Sequence, residues 1–162
     1  MKPYDVNTIA DYVIMSLNSD ERFLLINLKL QKLMYYIQAW SLGINGEKMM
    51  EARFEAWVHG PVCRQLYDRF KSTKSLYSTI DKEDVNNTDA TNEITQEDRE
   101  FINYILENFA RYSGPQLETM THSELPWIEA RNGASPMEHC ENQISENTMK
   151  AYYGKRYEEI PG

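Results

Sequence analysis

Cysteine and histidine are scarce here: two and three, respectively, in 162 residues. The one reactive spacing is His59-x-x-x-Cys63, and Gly60-Pro61 interrupts it, so the pair does not share a continuous helix face. His139 and Cys140 are neighbours, whose side chains diverge in most backbone conformations, and His122 stands apart. Zinc and Cys–His chemistry both need converging ligands. The reading is no metal, no cofactor and no catalytic residue, with Cys63 a small buried hydrophobe. A phosphate-cradling glycine loop, a serine nucleophile elbow and a His-Glu-x-x-His pair are all missing. No apolar run approaches the roughly 20 residues that cross a bilayer. Nor does a basic stretch precede an apolar core near Met1, so the expectation is a chain without a secretory signal, cytoplasmic and with reduced thiols.

What is present is apolar matter enough for one core: 41% hydrophobic and 12% aromatic residues. That composition excludes wholesale disorder, and the length suits a single domain over 1–162. The net charge of −8 is uneven. Residues 1–80 carry 10 Lys/Arg against 8 Asp/Glu, whereas residues 81–162 carry 7 against 17. So acidic a chain is a poor general binder of nucleic acid, which requires a basic surface. The acidic half reads as a solvated face, or as one that attracts a basic partner.

The periodicities predict a mainly α fold: a compact irregular bundle of about six helices with at most a small β element. Val6, Ile9, Ala10, Val13 and Leu17 share one helical face, capped by Asp5 or Asn7. From about Asn27 a second helix carries Leu30, Leu33, Met34 and Ile37 on a stripe and stops near Gly43 and Asn45-Gly46. Phe54 to Val58 alternates weakly and suits a short strand. Pro61 suits the first turn of a helix continued by Val62, Leu66 and Phe70. Asp81 to Asn92 is polar, with Val85 its one large apolar residue, and is expected to be a mobile acidic loop. Thr95 caps the next helix, Ser113-Gly114-Pro115 starts another, a short one runs from Pro126 to Arg131, and Ser145 caps the last.

Tyr35 and Tyr36 stand about 100° apart on a helix, so one of them is expected to be partly exposed beside Gln31 and Lys32. Gln31 and Tyr35 share a face, as do Lys32 and Tyr36. With His122, in a turn before Pro126-Trp127, these residues form the candidate partner-binding set. Periodicity around Trp40 and Trp57 favours core packing over an interface anchor.

Three runs together carry a resemblance. Leu30-Gln31-Lys32-Leu33-Met34-Tyr35-Tyr36-Ile37-Gln38-Ala39-Trp40 comes first, then Phe54-Glu55-Ala56-Trp57-Val58-His59-Gly60-Pro61-Val62, then Tyr67-Asp68-Arg69-Phe70-Lys71. They resemble the Panacea antitoxin domain, also called SocA-like, or GepA-like in phage-associated proteins. Leu117, Thr121-His122-Ser123-Glu124-Leu125-Pro126-Trp127 and Ala130-Arg131 match its second signature, and Ile144 and Tyr152-Tyr153 fit its closing helix. The resemblance implies a prokaryotic or prophage-encoded antitoxin that neutralises a toxin encoded nearby through protein–protein contact, without catalysis, direct nucleic-acid binding or a membrane. SocA itself hands its toxin to the ClpXP protease, so an adaptor of that kind is the alternative, beside a mobile-element protein serving another interaction. Of the motif residues, Trp40, Trp57, His59, Gly60, Pro61, Pro126 and Trp127 are read as building the fold.

Overall fold

Asp5 resolves the choice of first cap: its carboxylate accepts from the Asn7 N–H at 2.8 Å and opens α1 (Val6–Asn18). Tyr4–Asp5 is also β1, paired in parallel with β2 (Met50–Glu51). The computed structural model describes residues 1–20 and 22–159. The chain is mainly α, 57% helical and 9% strand, with eight α-helices among the described residues where about six were expected.

The organising element is α2 (Asn27–Asn45), whose residues from Asn27 to Leu42 are all buried. A helix covered on every side is a core helix, and its polar residues need internal partners. They have them. Lys29 Nζ donates to the Ala110 carbonyl, Ser41 Oγ to the Glu47 carbonyl at 2.7 Å, and Gln38 bonds the backbone of Met49 and Met50. Gly46, left-handed at φ +72°, ends the helix. Against α2 lies α8 (Glu146–Glu159), and the two meet at Gly43 and Gly154. A Cβ added at Gly43 would lie 2.6 Å from the Gly154 nitrogen, so the crossing is backbone against backbone.

Phe54–Trp57 forms the expected strand, β3, and pairs antiparallel with β4 (Gly60–Cys63) across a two-residue turn, Val58-His59. Pro61 therefore corrects the sequence reading. It pairs with Ala56 inside β4, and α3 (Arg64–Phe70) starts three residues later. A ring that cannot donate is tolerated in an edge strand as well as in a first helical turn. Gly60, at φ +99°, makes the turn possible; its missing Cβ would sit 2.6 Å from Lys32 Cε.

The polar stretch 81–92, expected as a mobile acidic loop, carries short helical turns. A 3₁₀ turn, Lys82–Asp84, has a capping box from Asp81 and Asp84, and α4 spans Ala90–Glu93. The Asn86 and Asn87 N–H groups reach the buried Asp11 of α1, which also takes Arg69. Polar residues hold this stretch by bonding to one carboxylate, a device that hydrophobic periodicity does not display. The remaining helices are α5 (Gln96–Phe109), α6 (Gly114–His122) and α7 (Leu125–Arg131). Thr95 caps α5 and Ser113 caps α6, as read from the sequence.

Candidate partner-binding site

The β3–β4 hairpin is fixed to the core by side chains that bond its backbone. From α2, Gln31 both donates to the Cys63 carbonyl (3.2 Å) and accepts from the Cys63 N–H (2.9 Å). Lys32 Nζ donates to the Pro61 carbonyl at 2.9 Å. From α7, Trp127 Nε1 donates to the Trp57 carbonyl at 2.9 Å, and Arg131 donates to that of Ala56 at 3.1 Å. Side chains from two helices thus grip both strands of a short ribbon by its backbone. Rigid placement of this kind suits recognition, since little freedom is lost on contact.

Burial pulls the Lys32 amine down to about 7, against a counter-effect from the Glu118 carboxylate. His122 stacks on Trp127, ring centroids 4.1 Å apart and planes at 24°. Burial lowers its pKa, and its Nε2 has no hydrogen-bond partner among the described residues. His59, at the hairpin tip, is exposed and meets Glu118 at 3.1 Å. Cys63 is buried and its thiol is pushed up by burial, which disfavours the thiolate that nucleophilic chemistry needs. No three His, Cys, Asp or Glu side chains converge as a metal site among the described residues. Beside the hairpin lies a cleft of about 420 Å³, with Trp57, Tyr67 and the α2 residues Asn27, Gln31 and Lys32 in its walls.

Further along α2 the chemistry turns aromatic. The Tyr36 and Tyr153 hydroxyls both donate to Glu124 Oε1 at 2.8 Å, and the Tyr35 and Tyr153 hydroxyls meet at 3.1 Å. Burial raises the Glu124 carboxyl above its usual range, while the two tyrosine donors favour its charged form. Tyr36 stacks on Phe109, centroids 4.5 Å apart and planes at 9°. Phe109 in turn lines a wide groove of about 1190 Å³ bounded by the ends of α5 and α6, by α7 and by α8. Trp40, Tyr112, Met120, Leu125 and Tyr152 supply its apolar lining, and Trp40 Nε1 is buried without a partner among the described residues.

The exposed edge expected on α2 is therefore corrected. Gln31 is 4% exposed, Lys32 and Tyr36 0% and Tyr35 1%. The cause is plain: hydroxyl, amide and amine groups suggest a solvent-facing edge, yet each of these has an internal partner. The residues separate into two sets, Gln31 and Lys32 under the hairpin, Tyr35 and Tyr36 in the aromatic cluster beside the groove. His122 belongs with the hairpin set. The groove residues Phe109, Tyr112 and Leu125 are absent from the expected set; the exposed apolar Leu125, beside the buried Glu124, carries no periodic signal of its own.

A family model described as "Antitoxin SocA-like, Panacea domain" matches residues 30–128, more than half of the chain. The chain belongs to the Panacea family. No curated protein and no solved structure matches it. The Panacea match begins inside α2 and ends inside α7, so it takes in the whole hairpin and its α2 anchors, while α8 and its side of the groove lie beyond it. Among the described residues no helix is long and apolar enough to cross a membrane.

Proposed function

We propose that this chain is the antitoxin of a toxin–antitoxin pair and neutralises a toxin encoded nearby by binding it directly, without catalysis, in the cytoplasm of a prokaryote or prophage host. Membership of the Panacea family supports the class of function. The groove between α5, α7 and α8 supports the mode: it is large, open and apolar at its base, and Leu125 at its edge is 50% exposed. Phe109, Tyr112, Met120 and Tyr152 are half-buried in its wall, a hollow into which an apolar side chain of a partner can be seated.

The partner's chemistry follows from the rim. Arg111, Lys155 and Arg156 outnumber Glu129 and Glu159 there, in a chain whose net charge is −8. The segment of toxin that fits is apolar or aromatic with acidic flanks. Gln31, Lys32, Tyr35 and Tyr36 serve as positioning residues, holding the hairpin and the groove floor, and His122 braces Trp127 between them.

The test is co-expression with the product of the adjacent gene. Wild type should co-purify with that product and restore growth. Leu125→Asp should lose both while changing stability by less than about 0.5 kcal/mol, as expected at an exposed position. Rescue should persist in cells lacking ClpX or ClpP; dependence on either establishes the adaptor route instead. Full rescue by Leu125→Asp combined with Tyr112→Ala rules the groove out as the contact surface.

A further inference from the structure

The cleft beside the hairpin differs from the wide groove in its charge. Its lining includes Lys32, Lys71, Lys74, His59 and His139, and neither an aspartate nor a glutamate. In a chain of net charge −8 such a lining is a local inversion. It is also the more enclosed of the two hollows, and its volume of about 420 Å³ falls in the range of small-molecule sites.

We propose that this cleft is a binding site for a small organic anion with a flat apolar body, an aryl or heteroaryl phosphate, sulfonate or carboxylate. The ring is taken by the wall of Trp57 and Tyr67, which meet edge to face with centroids 4.9 Å apart, together with Val58, Val62 and Leu76. The anionic group is taken at the lysine end, where Lys71 and Lys74 stand on the segment that follows α3.

Two observations beyond the lining point the same way. Lys32 is wholly buried and lines the floor, yet no carboxylate lies within ion-pairing distance of it among the described residues; the Pro61 carbonyl is its partner. Fully buried lysines are rare unless paired. The other basic side chains of the lining do have carboxylate neighbours: Asp68 at 3.3 Å from Lys71, Asp84 at 3.2 Å from Lys74, Glu118 at 3.1 Å from His59 and Glu141 at 2.7 Å from His139. None of these carboxylates lines the cleft. The Lys71–Asp68 pair is solvent-exposed and therefore weak, so an incoming anion can draw on Lys71, while Lys74 is held half-buried beside it.

Lys32 contributes through its field, because its side chain is closed off from solvent. Burial pulls its pKa down to about 7, so the amine gives up its proton far more readily than a lysine in water. An anion in the cleft favours the ammonium, so binding takes up a proton. Glu118, His59, His122, Lys71 and Lys74 also act on the site, and the Lys32 contribution must be separated from theirs.

The cleft does not depend on the antitoxin reading, and the experiment needs no toxin. Calorimetry with 1-naphthyl phosphate on the full chain should give a Kd of about 0.1–1 mM, as expected for a ligand of this size. Inorganic phosphate and 1-naphthol, each offering half of the chemistry, should bind at least about tenfold more weakly. 1-Naphthoate separates a carboxylate preference from a phosphate one. Lys71→Gln with Lys74→Gln, both at exposed or half-exposed positions, should weaken binding about tenfold without loss of fold. With naphthalene-1-sulfonate, whose charge is constant, affinity should fall from pH 6 to pH 8 in wild type and fall less in Lys32→Met. Should Lys32→Met fail to fold, net proton uptake by wild type in two buffers of different ionisation enthalpy gives the same reading. The proposal fails if 1-naphthol binds as well as its phosphate, if no anion binds, or if the lysine pair is without effect. Tighter binding of an acidic peptide than of any aryl anion also overturns it, and assigns the cleft to a protein partner.

Discussion

Along α2 the first turns, Asn27 to Lys32, underlie the small cleft, and the later ones, from Tyr36 to Gly43, underlie the wide groove. The two halves are held by different physics. On the cleft side, side chains of α2 and α7 bond backbone groups of the hairpin, at Cys63 and Pro61 and at Trp57 and Ala56. Such bonds fix position, and loss of one leaves a buried polar group unpaired, at about 1–3 kcal/mol. On the groove side the contacts are ring on ring, Tyr36 on Phe109 and Trp40 on Tyr153, over a crossing of two glycines. There the energy is spread over area, and shape carries the specificity. One helix thus underlies a small cleft lined by lysines and aromatic rings and a broad groove, without either intruding on the other.

The largest expected effect attacks the groove half. In Gly43→Ala the new Cβ would lie 2.6 Å from the Gly154 nitrogen and 2.7 Å from the Tyr153 carbonyl carbon. Backbone cannot swing aside as a side chain can, so α8 must move. Despite a gain of about 1 kcal/mol in helix propensity, the net cost should be about 3 kcal/mol in denaturant unfolding. The near-ultraviolet circular dichroism of the Trp40–Tyr153 cluster should change with it. A cost under about 1 kcal/mol means that the crossing is not close-packed.

Next in size is Gly60→Ala on the hairpin half. A φ of +99° is strained for any L side chain, and the Cβ would meet Lys32 Cε at 2.6 Å and Thr121 Oγ1 at 2.9 Å. The lysine stem can give way in part, so about 2 kcal/mol is expected. The comparison is sharpened by what else changes. Gly60→Ala should disturb aryl-anion binding and spare toxin binding; Gly43→Ala should do the reverse at temperatures where both variants are folded.

Much of this architecture was legible in the residues. Ser113 and Thr95 announced helix starts, Gly46 a helix end, and the alternation over Phe54–Trp57 a strand, because those signals are local. Pro61 misled because its φ is compatible with two local structures, and only the partner Ala56, across the turn, selects one. Less could be read of where the candidate residues sit. Gln31 and Lys32 lie under the hairpin and Tyr35 and Tyr36 in the aromatic cluster. The burial of these four was invisible, since their partners, the carbonyls of Cys63 and Pro61, the Glu124 carboxylate and the Tyr153 hydroxyl, lie 29 to 118 residues away in sequence. An apolar stripe marks a helix with one buried face, whereas α2 has no exposed face for most of its length.

A middle-sized effect concerns pH and again divides the two halves. In the unfolded chain the Lys32 amine keeps its ordinary value of 10.5, whereas burial lowers it to about 7 in the fold. Above pH 7 the unfolded state therefore holds the extra proton, and stability rises with pH, by at most about 1.4 kcal/mol per unit. Wild type should gain stability between pH 7 and pH 8.5, and Lys32→Met should not gain that share. The window closes higher up, because Cys63 and the tyrosines of the groove half are pushed upward and act in the opposite sense. A wild-type curve parallel to that of Lys32→Met over this range places the amine in water, not under the hairpin.

The smallest effects on stability should be the most informative about function, because they leave the fold alone. Arg111 and Lys155 are exposed on the groove rim, and Lys71 and Lys74 border the cleft. Charge reversal at the rim pair should move stability by less than about 0.5 kcal/mol, the range of surface substitutions. At the cleft pair the change should be about 1 kcal/mol, because Lys74 is half-buried, donates to the Thr79 carbonyl and pairs with Asp84. Their consequences for binding should separate cleanly. Arg111→Glu with Lys155→Glu removes the basic excess of the rim, so association with the proposed toxin partner should slow about tenfold at low ionic strength. At high salt the difference should shrink, because interactions between exposed charges are screened beyond about 10 Å at 0.1 M. Aryl-anion binding should be unchanged in that variant. Lys71→Glu with Lys74→Glu should abolish aryl-anion binding and leave the toxin association rate as it was. If both double variants slow the toxin equally, the chain carries one continuous partner surface around α2, and the division into cleft and groove describes its shape but not its work.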